Sequence, residues 1–330
     1  MIETLADLGE AELLLRLAGF APVGQLDDDT ACLGADPRPL LVNTDVLVDG
    51  IHFSDGTTAP MDAGWRAVAA NLSDLAASGA DHVEGITVAL VAPETTPWSW
   101  VNGLYEGIAA ALEQHGGVLL GGDCSTGSQR LISITALGRL GPLRLHRNAA
   151  RPGDVLVTSG PHGLSRLGLA LLQNDRHLPD GDLPETLKAA AVAQHRRPIP
   201  RFDALKALVN CKPAQLPWRA GGTDSSDGLL AAVQALCSSS GCGAELDHAR
   251  LPRPGQWPQG EPWDRWCMTG GEDFELVLSL PEDWAEAWLS ALPGSQRFGR
   301  ITANPDSLIW SGDHAAVELS GSGFDHYRSA

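Results

Sequence analysis

Six times along this chain an apolar run stops at a carboxylate that stands beside glycine, serine or threonine. Asp28 and Asp29 lie in QLDDDTACLG, Asp45 in LVNTDVLVDGIHF, Asp74 in NLSDLAASGA, Asp123 in LLGGDCSTG, Asp227 in TDSSDGLL, and Glu272 with Asp273 in TGGEDFELVL. Such strings mark places where a strand or helix ends and a binding loop begins. The fold must therefore carry many functional element ends. Two bare carboxylates about 4 Å apart repel by on the order of 4 kcal/mol at an effective dielectric near 20. The acids must either stay apart or meet cations, and we read them as converging on metal ions that hold a polyphosphate. Hard oxygen ligands favour Mg²⁺, which completes its shell with water and substrate phosphates.

The chain's own cations are too few for that task. Its 23 basic residues face 41 acidic ones, and the only lysines are Lys188, Lys206 and Lys212. No G-x-x-x-x-G-K-[ST] string occurs, and the first half has no lysine to serve as a kinase strand lysine. Asp27-Asp28-Asp29-Thr30 fails the D-x-D-x-T pattern because Ala31 holds the last position. H-E-x-x-H and G-x-S-x-G are also absent. A formal net charge of −18 and a pI near 4.8 argue against nucleic acid or an anionic membrane as partner, since both require a basic face.

Most of the acids are a solvated surface; only those beside glycine, serine or threonine are singled out. The 37 glycines among 330 residues exceed the roughly 7% of an average protein and cluster beside those acids. Six cysteines without a C-x-x-C pair read as reduced, with Cys124 singled out for its place beside Asp123. The N-terminal stretch carries acids among its leucines and lacks a basic leader region. No run approaches the ~18 apolar residues of a membrane span. A cytoplasmic protein is expected.

Periodicity predicts helices ending near Gly19, over Met61 to Ala77 and over Trp98 to His115. It predicts strands over PLLVNTD, Val83 to Val91, Gly117 to Leu120 and Leu131 to Leu140, and a turn into a short strand in QLDDDTACLG. Composition changes between Gly141 and Arg151, where the domain junction is placed. The second half reads as a strand in DVLVTSG, helices over Leu164 to Gln173, Thr186 to His195, Phe202 to Val209 and Leu229 to Ser238, a loop from Asp247 to Trp266, and a strand over Glu275 to Leu280. A helix around Pro281 to Leu292 and strands near Arg297 to Ile301, Leu308 to Trp310 and Val317 to Leu319 close the chain. DSSDG stands at a helix N-terminus, where backbone N–H groups and hydroxyls can meet phosphate.

The strings DDDTACLG, NTDVLVDGIHF, NLSDLAASGA, GGDCSTG, HRNAARPGD, DSSDGL, GGEDFEL and GFDHY, in this order, resemble the thiamine-monophosphate kinases of the aminoimidazole-ribonucleotide-synthetase-like superfamily. The resemblance covers nearly the whole chain. It implies an α+β fold: residues 1–141 forming an N-terminal mixed β-sheet domain with flanking helices, which binds metal and nucleotide and dimerises. Residues 142–330 would form a C-terminal α/β lobe that completes the ATP and thiamine-phosphate site. The implied reaction is transfer of the ATP γ-phosphate onto thiamine monophosphate with several Mg²⁺ ions, in a homodimer.

Carried over by position, the resemblance makes Asp29, Asn43, Thr44, Asp45, Asp74, Asp123, Asp224 and Asp227 metal ligands. Gly122, Asp123, Arg147 and Ser226 would contact ATP. His52, Glu272 and Phe324 would meet the thiamine substrate, with the Phe324 ring suited to stacking on a flat heterocycle. No residue is expected to act as general base. Three positions depart from the family pattern: Asp27 replaces glycine, Asn43 a serine or threonine, and Thr126 an arginine.

Overall fold

The structure, a computed structural model, describes residues 2–305 and 307–317. It divides into one compact unit of Met1–Leu75 with Ala80–Gly141 and a second of Ala76–Gly79 with Pro142–Ala330.

The first unit runs α1 (Leu5–Leu17), β1 (Leu40–Val48), α2 (Pro60–Ala77), β2 (Ala80–Ala92), α3 (Trp98–His115), β3 (Val118–Thr126) and β4 (Leu131–Leu140). Its sheet has the order β1-β4-β2-β3. Strand β4 is antiparallel to both its neighbours, whereas β2 and β3 are parallel and joined through α3, as a parallel pair requires. Helix α2 buries Val68, Ala69, Leu72, Leu75 and Ala76, and α3 buries Val101, Leu104, Ile108 and Ala111. The two helices pack through glycines: a Cβ on Gly64 would lie 2.0 Å from the Leu104 carbonyl oxygen, and one on Gly107 1.9 Å from that of Met61. Backbones this close exclude any larger residue.

Along β1 exposure alternates with the pleat. Asn43, Asp45 and Leu47 share the face turned to α2, while Val42 and Val46 on the opposite face remain 58% and 41% exposed.

The second unit contains β5 (Val155–Thr158), α4 (Leu164–Gln173), α5 (Glu185–Arg196), α6 (Phe202–Asn210), β6 (Gly221–Asp224), α7 (Leu229–Ser240), β7 (Gly243–Leu246), α8 (Glu261–Thr269), β8 (Leu276–Leu280), α9 (Glu282–Ala291), β9 (Gln296–Thr302) and β10 (Leu308–Trp310). Its sheet runs β10-β7-β9-β5-β8-β6 and is antiparallel except for the β10–β7 pair. Both faces are covered, so β5 (VLVT) and β8 (LVLSL) are near-continuous apolar runs with every residue buried, the polar Thr158 and Ser279 included. Val155, Val157, Leu276 and Leu278 pack with Leu208, Trp284 and Trp288 of α6 and α9. Leu156 and Val277 pack instead with Leu229, Val233 and Leu236 of α7. The indole N–H groups of Trp284 and Trp288 donate to the carbonyls of Leu208 and Ala204, tying α9 to α6.

Four details differ from the sequence expectation. Strand β3 continues through GGDCST, so Asp123 lies within a strand, and Asp45 likewise lies inside β1. QLDDDTACLG forms bends and no strand. The Asp247 to Trp266 stretch contains the start of α8, where Pro262 occupies a first-turn position that lacks a helical acceptor. The expected strand at Val317 to Leu319 and the GFDHY string, with Phe324, lie outside the described residues apart from Val317.

Candidate active site

In the first unit the site is built around Asn71, a fully buried residue of α2. Its Oδ1 accepts from the Asp45 backbone N–H and from Asn43 Nδ2, each at 3.1 Å, while its own Nδ2 donates to the Ala67 carbonyl at 2.9 Å. Asn43 Nδ2 also donates to Asp74 Oδ2 at 3.1 Å. Asn43, Asp45 and Asp74 are thereby brought together on the helix-covered face. The two acceptors fix the Asn43 amide so that Nδ2 faces them. Its Oδ1 is buried and has no hydrogen-bond donor, and such an orphaned acceptor beside a carboxylate suits a hard cation.

Other first-unit candidates stand elsewhere. The Thr44 hydroxyl points to the open face and meets the Thr135 hydroxyl at 2.8 Å. Asp123 faces the same side, because its neighbour Cys124 contacts Tyr105 of α3 on the covered side. Three strand spacings, roughly 14 Å, separate β1 from β3, so Asp45 and Asp123 do not converge within one chain. Gly122 has no room for a side chain, since a Cβ would lie 2.0 Å from the Val88 carbonyl oxygen. Asp29 belongs to an exposed segment, with Asp28 Oδ1 accepting from its N–H; four residues earlier, Gln25 Nε2 donates to the Leu120 carbonyl of β3 at 3.0 Å. Among the described residues no group of three or more His, Cys, Asp or Glu side chains is placed to hold a metal ion. A cation here would draw on amide and phosphate oxygens as well as carboxylates. Burial pushes the Cys124 thiol up to about 11, so it is protonated at neutral pH and unsuited to nucleophilic work.

His52 follows β1 in a turn, where its Nδ1 accepts from the Val48 N–H at 3.0 Å. That bond leaves the ring proton on Nε2 in the neutral form. Arg130 secures the turn by pairing with Asp49 and Asp55 and lying over Trp100, 4.6 Å from the ring centre. Arg130 therefore acts on the His52 turn from β4's start, which nothing in its sequence surroundings announces.

In the second unit two loops lie back to back. Strand β6 delivers Asp224, which is buried, and the chain turns through Ser225, Ser226, the exposed Asp227 and Gly228 into α7. The Glu272 N–H donates to the Ser226 carbonyl at 2.8 Å, and the Glu275 N–H to Ser225 Oγ at 3.0 Å. A Cβ on Gly271 would lie 2.4 Å from the Ser226 carbonyl oxygen, so glycine is what lets the loops touch. Arg147 sits in a single helical turn whose carbonyl accepts from Ser240 Oγ at 2.8 Å; its Nε donates to Thr223 Oγ1 at 3.0 Å, beside Asp224. Asp224, Ser226, Asp227, Arg147 and Glu272 thus occupy one region.

Asp273, also one of the candidate acids by pattern, has a different role. It is fully buried, accepts from the N–H groups of Gly163 and Ser165 at 2.6 and 2.9 Å, and so caps α4. Burial pushes its carboxyl up to about 7, against the pull of those two donors.

Residues 27–140 match the AIR synthase related protein N-terminal domain family, and residues 151–311 the corresponding C-terminal domain family. The chain is 53% identical over 325 residues to the thiamine-monophosphate kinase of Prochlorococcus marinus, covering 98% of each chain. Among solved structures, thiamine-monophosphate kinase from Stenotrophomonas maltophilia K279a superposes with a TM-score of 0.76 at 29% identity, over 92% of this chain and 96% of the other. AaThiL complexed with AMPPCP and TMP gives a TM-score of 0.73 at 28% identity, over 96% and 97%.

Proposed function

Because the chain belongs to the thiamine-monophosphate kinase family, we propose how its own residues divide the work of that reaction. The enzyme transfers the γ-phosphoryl group of ATP to thiamine monophosphate, giving thiamine diphosphate in thiamine diphosphate biosynthesis. The acceptor is a phosphate oxygen whose second pKa is about 6, so it is mostly ionised at neutral pH. No general base is needed, and catalysis rests on positioning and charge neutralisation.

The observation that carries the division is the 2.8 Å bond from the Glu272 N–H to the Ser226 carbonyl. It sets a phosphate-type loop at a helix N-terminus directly against a loop bearing a carboxylate for the thiamine end. In this reading Gly122, Asp123, Arg147 and Ser226 contact ATP, and His52, Glu272 and Phe324 contact thiamine monophosphate. A neutral His52 with its proton on Nε2 donates a hydrogen bond without repelling the cationic thiazolium.

Asp29, Asn43, Thr44, Asp45, Asp74, Asp123, Asp224 and Asp227 are the candidate magnesium ligands, Asn43 being supported by its orphaned oxygen. Bound Mg²⁺ would offset the phosphate charge that this acidic chain cannot neutralise with lysines. The open face of the first sheet, with Leu40, Val42, Val46 and Val118 exposed, supports a homodimer formed through that face. Asp123 and Thr44 would then lie at the interface. A cytoplasmic location fits the absence, among the described residues, of any helix long and apolar enough to cross a membrane.

Asp45→Ala is expected to abolish turnover while leaving the circular dichroism spectrum and the unfolding midpoint near wild type. Wild-type-like turnover in that variant would sink the metal assignment.

A further inference from the structure

The GGEDF loop is held in a conformation that side chains resist. Glu272 and Phe274 have φ of +66° and +54°, a region that residues with a Cβ rarely adopt. Surrounding contacts must hold it there. The Asp273 carboxylate is anchored on the N–H groups of Gly163 and Ser165, its carbonyl accepts from Gln194 Nε2 at 2.9 Å, and the Glu275 N–H is held by Ser225 Oγ. With the Glu272 N–H itself donating to the Ser226 carbonyl at 2.8 Å, the backbone is fixed on both sides of that side chain.

The Glu272 side chain is about one-third exposed, and its Oε2 lies 3.9 Å from Nδ1 of His195, a residue of α5 that is 2% exposed. The same Nδ1 is 3.1 Å from Ser165 Oγ, and the Ser165 N–H is one of those that hold Asp273. Adjacent residues of one helix, Gln194 and His195, thus reach two successive residues of the loop. A glutamate side chain gives up substantial rotamer freedom when fixed, and fixing it before the ligand arrives removes that cost from binding.

We propose that His195 is a positioning residue for Glu272: its Nδ1, 3.1 Å from Ser165 Oγ and 3.9 Å from Glu272 Oε2, attracts that carboxylate electrostatically without a direct hydrogen bond and so holds it toward the thiamine end of the substrate, setting affinity for thiamine monophosphate without touching it. The proposal rests on the reading of Glu272 as a thiamine contact.

Initial-rate kinetics on the purified full-length enzyme separate the two ideas. His195→Ala should raise KM for thiamine monophosphate by about tenfold, leave KM for ATP within about twofold, and be largely corrected by His195→Asn, whose amide N–H falls near the place of Nδ1. Combined with Glu272→Ala, the histidine substitution should add nothing further. Where alanine destabilises the fold, His195→Leu refills the volume without a donor and should show the same selective rise. Equal rises in both KM values, failure of asparagine to correct the defect, or full additivity with Glu272→Ala would overturn the positioning role. If Glu272→Ala itself leaves KM for thiamine monophosphate unchanged, the thiamine-contact reading fails, and the proposal with it.

Discussion

Replacing Asn71 by alanine tests whether the polar cluster of the first unit is assembled as described. Asn71 is completely buried and its Oδ1 serves two donors, the Asp45 N–H and Asn43 Nδ2. Asn43 keeps a second acceptor in Asp74, so the group that loses most is the Asp45 N–H. A stranded, partly buried donor costs about 1–3 kcal/mol. Adding the bond lost at Asn43, the expected destabilisation is about 2–4 kcal/mol, a large share of a typical 5–15 kcal/mol of stability. The effect should appear as a lower urea midpoint with an unchanged slope. Because Asp45 and Asn43 lose the group that fixes their relative placement, turnover measured below the unfolding transition should also fall at least about tenfold, the equivalent of 1.4 kcal/mol in the barrier. A variant with wild-type midpoint and turnover would refute both the hydrogen-bond accounting and the role of Asn71 in holding the candidate ligands.

Arg147→Ala should raise KM for ATP about 10- to 100-fold, as expected for one lost charge-assisted hydrogen bond, with KM for thiamine monophosphate little changed; an unchanged ATP KM would remove Arg147 from the nucleotide site. Asp273 provides a test by pH. Its folded pKa of about 7 lies above the ordinary aspartate value, so the folded state holds a proton that the unfolded chain releases, and its contribution to stability is full below about pH 4 and lost as pH rises toward 7. Between pH 5 and 7 the wild type should therefore lose up to about 1.4 kcal/mol per pH unit relative to Asp273→Asn; parallel pH–stability curves for the two proteins would contradict the burial argument.

Much of the second unit is legible in the sequence because its strands are buried on both faces. DVLVTSG and FELVLSL carry short, near-continuous apolar runs, and they became β5 and β8. The long helix Trp98–His115 was equally legible from its apolar period. The start of β3 was legible too, but its continuation was not, because GGDCST lacks the β-branched apolar signature of a strand; that part is held by backbone pairing with β2 along a sheet edge. That hidden extension sets the face of Asp123, and therefore separates it from Asp45. Helix α8 was hidden by proline and tryptophan that look like loop residues until Pro262 is placed in the first turn.

In the site, the carboxylates announced themselves through glycine, but their supports did not. Asn71 reads as one more polar helix residue, although its place three positions before Asp74 puts it on the same face. Thr223, Arg130 and His195 come from segments distant in sequence, and only tertiary packing brings them to Arg147, the His52 turn and Glu272. Asp273 carries the same acid-glycine signal as its neighbours, yet folding turns it inward to cap α4. The signal marks a loop and does not distinguish a ligand from an anchor.

The central claim is tested most directly by ³¹P NMR of the purified protein with Mg-ATP and thiamine monophosphate. The account predicts that ADP and thiamine diphosphate appear together in equal amounts and that neither forms when EDTA is present. ATP consumed without thiamine diphosphate, or both substrates left unchanged by well-folded protein, would contradict it.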